Sequence, residues 1–212
     1  MSMLEKETVK CPKCGADVET KHWSSINTEM PFAIDDIISG KLFKFKCSSC
    51  GITVKLDYPI LFNDMKHNVM IHYCTPENAE GILKMMDSMP VFVRRSRVVR
   101  SQMGLREKTM IFNDELDDRT IEFMKAFIMN QLMQDGKEPE EAYYISPDVL
   151  MPEACFEFCM KTGDPIHILF DKELYETLDA AVKKAFAGEK DNGIIDCEWA
   201  LENLEKVAEF LE

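Results

Sequence analysis

Two short cysteine motifs constrain this chain more than any other feature of its sequence. Each has two cysteines separated by two residues and followed by a glycine: CPKCG at residues 11–15 and CSSCG at residues 47–51. This spacing lets both sulfurs of a motif bind one ion from a tight turn, and the glycine permits a positive φ where the chain leaves that turn. Together the motifs predict a closed four-thiolate metal site, which favours one structural zinc ion per chain. The predicted ligands are Cys11, Cys14, Cys47 and Cys50.

The segments around the motifs predict a zinc-ribbon-like unit of β-hairpins with an inserted helix. Thirty-two residues separate Cys14 from Cys47, more than the roughly 15–20 typical of a simple ribbon, so we expect a folded element between them. A proline near its start and a glycine just past its end predict a short helix at residues 32–39. Alternating apolar and polar residues predict half-buried strands beside each motif. These strands are residues 7–10, 18–24, 42–46 and 52–56.

The pattern beyond residue 60 predicts mixed strands and helices, and therefore an α+β fold class. The predicted strands are residues 65–73 and 91–99, and the predicted helices are residues 75–88, 101–110 and 120–134. The residues predicted to face the core from the last of these helices are Met124, Phe127, Ile128 and Leu132. With the cysteine motifs, these elements make a predicted metal-binding domain of residues 1–138.

A second, small α+β domain is predicted at residues 139–212. Charged residues around a glycine and a proline predict a linker at residues 136–141. A turn sequence, TGDP, separates two apolar segments and predicts a hairpin of residues 155–160 and 166–170. Helices are predicted to begin after Asp171 and near Asp196. The residues predicted to face the core from the final helix are Leu201, Leu204, Ala208 and Leu211.

The ordered series of motifs around the cysteines resembles the CpXC family of bacteria and archaea. CPKCG is followed by WSSIN at residues 23–27, by GKLFKFKCSSCG at residues 40–51 and by YPILFND at residues 58–64. The similarity continues to about residue 134. The second motif has Ser48 where the family has a proline, which is not a metal ligand. The resemblance implies a cysteine-bound metal and brings no established activity with it.

The charge of the chain is negative and unevenly distributed. Twenty-five Lys and Arg stand against 38 Asp and Glu, a net charge of −13, and residues 111–212 alone carry −16. Because such a field repels phosphates, we expect neither nucleic acid nor an anionic membrane as a partner. No apolar stretch approaches the roughly 18 residues of a membrane span, and the first residues lack the apolar core of a secretory signal. We therefore expect a cytoplasmic protein.

One segment, residues 94–108, is basic. It predicts either a phosphate-binding strip or solvated faces of a strand and a helix that lie near acidic residues, and the second interpretation is preferred. Its cationic residues are Arg94, Arg95, Arg97, Arg100, Arg106 and Lys108. Asp117 and Asp118 precede a predicted helix, where acids match the helix dipole, so capping is preferred over a catalytic pair of carboxylates.

The other four cysteines are scattered and predict free thiols, since cytoplasmic cysteines are kept reduced. They are Cys74, Cys155, Cys159 and Cys197. Cys155 and Cys159 share a face of a predicted strand at a separation of about 13 Å, too far apart to form a disulfide or bind one ion. The four histidines are isolated from one another, so we predict no second metal site.

Three functions remain open from the sequence. The preferred one is a zinc-stabilised, non-enzymatic binding or regulatory module that acts through a protein partner or by self-association. The second is a rubredoxin-like redox protein, because similar knuckles hold iron there. The third is an enzyme whose site has no recognisable motif, since the chain has no glycine-rich phosphate loop, nucleophile elbow or HExxH sequence.

Overall fold

Two units of structure divide the chain, residues 1–109 and residues 110–212. The structure is a computed structural model that describes residues 2–88 and 95–211. We call the two parts the N-terminal unit and the C-terminal unit. Both combine helices with sheets, which confirms the predicted α+β class. The predicted domains, residues 1–138 and 139–212, stay a prediction.

The first sixty residues form two antiparallel hairpins with a helix between them, as predicted. In chain order the elements are β1 (Met3–Lys10), β2 (Asp17–Asn27), α1 (Ala33–Ile38), β3 (Lys44–Lys46) and β4 (Thr53–Lys55). β1 pairs with β2, and β3 pairs with β4. The strand predicted at residues 42–46 is shorter than expected, because Lys41–Phe43 form a 3₁₀ turn that buries the Phe43 ring against Tyr58.

A sheet and two helices complete the N-terminal unit. The elements are β5 (Ile60–Asp64), β6 (Val69–Tyr73), α2 (Pro76–Ser88), β7 (Arg95–Val99) and α3 (Gln102–Asn113), of which α3 runs across the boundary between the units. The strands lie in the order β1-β2-β5-β6-β7. Sequence reasoning did not predict β5. Of the strand predicted at residues 91–99, residues 91–94 lie outside the described residues.

The strand predicted at residues 65–73 begins only at Val69. The Asp64 carboxylate accepts hydrogen bonds from the backbone N–H groups of Lys66 and His67, each at 3.1 Å. These bonds hold a turn that joins β5 to β6, and Asn68 ends it with a φ of 58°. Within β6, Val69, Ile71 and Tyr73 are buried, as the alternation predicted.

The C-terminal unit packs helices beside a three-stranded antiparallel sheet. Its elements are α4 (Asp118–Gln134), β8 (Pro139–Ile145), β9 (Cys155–Met160), β10 (Ile166–Leu169), α5 (Lys172–Ala185), β11 (Asn192–Gly193), α6 (Cys197–Glu202) and α7 (Leu204–Ala208). The sheet order is β10-β9-β8. Asp171 caps α5 as predicted, accepting from the backbone N–H of Leu174 at 3.0 Å. The helical core is made by Phe123, Ala126, Ala181, Val182, Ala185, Phe186, Ala200 and Val207, with Trp199 packed against it.

The linker predicted at residues 136–141 is wrong for residues 139–141, which belong to a strand. Gly136 follows α4 with a φ of +75°, and β8 begins three residues later at Pro139, opposite Met160 of β9. A proline is tolerated at the first residue of a strand, where its missing N–H costs little pairing. Glu140 and Glu141 are exposed, and this polarity made the start of the strand resemble a linker.

The core faces predicted for two helices are also partly wrong. Phe127 of α4 is 56% exposed, while Phe123, one turn earlier, is buried against Trp199. The final helix is interrupted at Asn203, so α6 and α7 bury Ala200 and Val207. The residues predicted to face inward there are exposed instead: Leu201, Leu204, Ala208 and Leu211. Within the described residues, no helix has the length and apolar character needed to span a membrane.

Candidate metal centre

The two cysteine motifs fold into the same tight turn. In the first, the backbone N–H of Cys11 donates to the carbonyl of Ala16, and that of Gly15 donates to the carbonyl of Cys11, both at 2.9 Å. In the second, the N–H of Cys47 donates to the carbonyl of Ile52 at 2.8 Å, and the equivalent glycine bond measures 2.9 Å. Each motif connects the two strands of one hairpin. The positions of the glycines follow from this turn, since their φ angles are +72° and +73°.

The turns bring the sulfurs of the four predicted ligands together. Cys11 Sγ lies 3.7 Å from Cys50 Sγ, and Cys14 Sγ lies 3.8 Å from Cys47 Sγ. All four sulfurs lie within 4.8 Å of one another. A tetrahedral ion with bonds of about 2.3 Å to sulfur requires edges of about 3.8 Å. The cluster therefore has the size and the donor chemistry to hold one zinc or iron ion.

The cluster is enclosed on one side and open on the other. Cys11 and Cys47 are buried, Cys50 is half-buried and Cys14 is exposed. The surrounding apolar group is small, since it adds only Val18, Phe45 and Ile52 to the cysteines. So few apolar contacts give the two hairpins little to hold them together without an ion.

Electrostatics within the cluster favour a cation. The backbone N–H of Cys14 lowers the pKa of the Cys11 thiol to about 6, so one thiol ionises readily. The N–H of Ala16 lowers the pKa of Cys14, but the Cys11 sulfur, partial desolvation and the other two sulfurs outweigh it and raise this pKa to about 12. A bound dication would supply the positive charge needed to ionise the remaining thiols, and protons would leave as it binds.

Sequence reasoning missed two residues of the site, Ala16 and Ile52, whose backbone carbonyls close the two turns. Ala16 and Ile52 occupy equivalent positions, each directly after the glycine of its motif, and each accepts the N–H of the first cysteine. The equivalence of these positions in the two motifs was the signal available in the sequence. Ile52 also packs against the buried cysteines, so it contributes to both the turn and the local core.

The scattered cysteines are not members of this metal-binding group. None of the four forms a disulfide among the described residues; Cys74 and Cys155 are buried, and Cys159 and Cys197 are half-buried. Burial raises the pKa values of Cys74, Cys155 and Cys159 above the ordinary range of a thiol. Across the part of the chain that the structure describes, the four motif cysteines make the single group of Cys, His, Asp or Glu with metal-binding geometry.

The basic segment is solvated only in part, in contrast to the interpretation preferred from the sequence. Arg97 and Lys108 are buried, Arg95 and Arg106 are half-buried, and Arg100 is exposed. Arg97 donates to the carbonyl of Ser96 at 3.1 Å, because a buried guanidinium requires polar partners. Arg94 lies outside the described residues. The preferred interpretation is therefore wrong for the two buried side chains.

Asp117 caps the start of α4, as predicted, and Asp118 is the first residue of the helix. Asp117 accepts a hydrogen bond from the backbone N–H of Arg119 at 3.0 Å. Its carboxylate also pairs with the Arg119 guanidinium at 2.6 Å. Asp117 thus stabilises the start of the helix through the orphan N–H groups of its first turn.

One protein-family model, described as CpXC protein, matches residues 9–125, which is more than half of the chain and includes both cysteine motifs. Searches of curated proteins and of solved structures find no match. The match confirms the resemblance seen in the ordered motifs of the sequence.

Proposed function

Because the chain belongs to the CpXC protein family and its four motif cysteines form a group with metal-binding geometry, we propose that it is a zinc-stabilised, non-enzymatic binding module. The observation that carries this proposal is the closed set of four thiols, with sulfur–sulfur distances of 3.7 and 3.8 Å. Catalytic zinc sites keep one position open for water or substrate. Four cysteine sulfurs fill a tetrahedron, so an ion held here has no position at which to activate a reactant.

The proposed role of zinc is to join two hairpins that are distant in sequence. Cys11 and Cys14 come from the turn between β1 and β2, and Cys47 and Cys50 from the turn between β3 and β4. Structural zinc contributes roughly 10–16 kcal/mol of apparent binding free energy in small peptides, and this energy also stabilises the fold. The small apolar group around the site makes such a contribution decisive for this part of the chain.

The proposed activity is binding, to a protein partner or to a second copy of the chain. The net charge of −13 disfavours nucleic acids and anionic membranes, which attract positive proteins. A regulatory role within a protein complex is consistent with a metal that organises structure without chemistry of its own.

One observation favours a rubredoxin-like iron site as the second candidate. Cys14 is exposed, so one metal-binding sulfur is at the surface, where an electron can enter or leave. Iron also accepts a tetrahedral set of four sulfurs. The two candidates differ in colour, because ferric thiolate centres absorb visible light and zinc thiolate centres do not.

Metal analysis and a visible spectrum on the same preparation test the proposal. We expect one zinc per chain, no visible absorption, and loss of the zinc in Cys14→Ser and Cys47→Ser. Cys159→Ser is the matched control, because Cys159 lies in β9, and it should keep the metal. One iron per chain with visible absorption that bleaches on reduction would replace the zinc proposal with the redox one.

A further inference from the structure

An apolar groove lies open on the C-terminal unit. Helices α4, α5 and α7 border one cavity of about 380 Å³, and α4, α6 and α7 border a second of about 480 Å³. Phe127 and Leu204 line both cavities, so the two adjoin. We call the joined cavities the C-terminal groove.

The groove is built from large apolar side chains that the fold leaves exposed. Phe127 is 56% exposed and Leu204 is 44% exposed, and Met133, Leu201 and Leu211 in the same lining are similarly exposed. Single exposed apolar residues are common on protein surfaces, whereas a contiguous group marks an interaction site. Four of them, Phe127, Leu201, Leu204 and Leu211, are also residues whose spacing predicted a core face, so here the apolar periodicity produces a surface.

Acidic residues directly follow lining residues of the groove along the chain. Along α6, α7 and the following turn, four exposed glutamates recur at intervals of three or four residues: Glu198, Glu202, Glu205 and Glu209. Glu205 lines the groove itself. Lys206, the single cation between residues 197 and 211, pairs with Glu189 and lies over the Phe186 ring at 4.1 Å. Residues 197–211 therefore place negative charge along one edge of the groove, which we call the glutamate border.

We infer that the C-terminal groove binds an amphipathic helix of a partner protein, with an apolar stripe flanked by lysine or arginine. Apolar anchors at i, i+3 or i+4 and i+7 are the usual means by which a helix occupies such a groove. Two adjoining cavities suit two successive anchors, and Met129 and Met133 in the lining can adapt to their shapes. The glutamate border supplies the charge complement of the basic flanks.

The charge of the groove argues against the other occupants. A second copy of the chain in a symmetric contact would bring its own glutamate border against this one. An anionic membrane would be repelled by the same border. The inference rests on the proposed binding function, because it names the class of partner, but it involves residues of the C-terminal unit alone.

A synthetic peptide tests the inference on the full, zinc-loaded chain. The probe is a fluorescent helix of about 18 residues, five turns, with leucine along one stripe and lysine beside it. One control peptide has glutamate for every lysine, and another has the same composition in scrambled order. Measured by anisotropy at about 0.15 M salt, the patterned lysine peptide should bind at least about tenfold tighter than either control. If the scrambled peptide binds equally well, the net charge of the peptide alone explains its binding, and the inference is overturned.

Variants of the chain test whether the lysine peptide binds in the C-terminal groove. Leu204→Gln should weaken the lysine peptide at least about tenfold, while Leu169→Gln, at a leucine that is 62% exposed in β10, should not. The charge-reversed pair Glu205→Lys with Glu209→Lys should weaken it too, and Glu140→Lys with Glu153→Lys, at exposed sites of equal total charge, should have little effect. If the groove variants and their controls behave alike, the peptide binds elsewhere and the inference fails.

Methyl NMR and light scattering complete the experiment. The Met129 and Met133 methyl signals should shift on peptide addition, while that of Met65, which is exposed in the N-terminal unit, stays in place. A dimer of the wild-type chain that Leu204→Gln converts to a monomer would make a second copy the occupant and overturn the inference. Zinc content is measured on the same samples. If the chain holds one zinc but does not bind the peptide, the groove inference fails and the zinc proposal stands. If the chain holds iron and binds the peptide, the zinc proposal fails and the groove inference stands.

Discussion

The sulfurs of Cys11 and Cys50 lie 3.7 Å apart, although 39 positions separate these residues in the chain. Cys14 and Cys47 show the same relationship at 3.8 Å across 33 positions. Each close contact joins the turn of one hairpin to the turn of the other. An ion at this point would act as a cross-link that closes a long loop, and it would do so where apolar packing is sparse.

Removal of the metal should therefore loosen the chain locally. In Cys47→Ser, or after treatment with a strong chelator, we expect residues 8–60 to lose hydrogen-exchange protection and become sensitive to protease. Residues 141–212 should keep their protection, because the helical core that they share with α4 contains no motif cysteine. Hydrogen exchange with mass spectrometry measures both regions at once, and Cys159→Ser serves as the control. Unchanged protection at residues 8–60 would show that the ion is not structural and would favour the redox alternative.

Acidification should release the metal. The pKa of Cys11 is lowered to about 6, so this thiol is ionised at neutral pH, whereas the pKa of Cys14 is raised to about 12 and its proton must leave when the ion binds. Zinc affinity should thus fall as the pH drops, and fall more steeply below about 6, where protons also compete for Cys11. Competition with a coloured chelator at several pH values measures this dependence. An affinity that is constant between pH 7.5 and 5.5 contradicts it.

Two phenylalanines of α4 should differ sharply in their contribution to stability. Phe123 is 3% exposed and packs against Trp199 with ring centroids 5.5 Å apart, so Phe123→Ala should cost about 3–5 kcal/mol of unfolding free energy. Phe127→Ala, one turn away at a largely exposed site, should cost less than about 1 kcal/mol. Urea unfolding in a Trp23→Phe background, where Trp199 is the single tryptophan, compares them. Equal costs would mean that Phe127 is buried in solution.

The four scattered cysteines should be free thiols with different reactivities. Cys155 is fully buried, and burial raises its pKa, so it should react with iodoacetamide more slowly than the half-buried Cys197. Peptide mapping after native alkylation should find no disulfide-linked pair among Cys74, Cys155, Cys159 and Cys197. A stoichiometric disulfide in fresh protein would contradict the prediction of a reducing compartment.

Duplex DNA should not bind tightly at physiological salt. The net charge of −13 repels phosphates, and within the basic segment Arg97 and Lys108 are buried and unavailable to them. Anisotropy with a labelled random duplex should give a dissociation constant weaker than about 1 μM. Tighter binding that is lost in Arg100→Ala, a change at an exposed site, would show that the basic segment is a phosphate-binding strip.

Features that depend on a few neighbouring residues were predictable from the sequence. The CxxCG spacing implied a tight turn with two sulfurs on one side, and the structure has that turn twice. Asp171 was predicted to start a helix because its carboxylate can reach an orphan N–H of the first turn, and it does so at Leu174. The Thr-Gly-Asp-Pro sequence predicted the hairpin of β9 and β10, where Gly163 has a φ of +93°. In each case the cause lies within about five positions of the chain.

Features that depend on distant neighbours were decided by the tertiary structure alone. Apolar spacing showed that α4 has an apolar face, but Phe123 and Phe127 both belong to it, and only the positions of Trp199 and Phe186 decided which ring is buried. Pro139 was predicted to lie in a linker, because the sequence does not show that Met160 of β9 pairs with it. The sequence by itself thus determined the turns, the helix starts and the set of four thiols. Whether a side chain is buried depends on which other elements pack against it. The tertiary structure therefore decided which sulfurs lie next to each other and which apolar faces remain exposed.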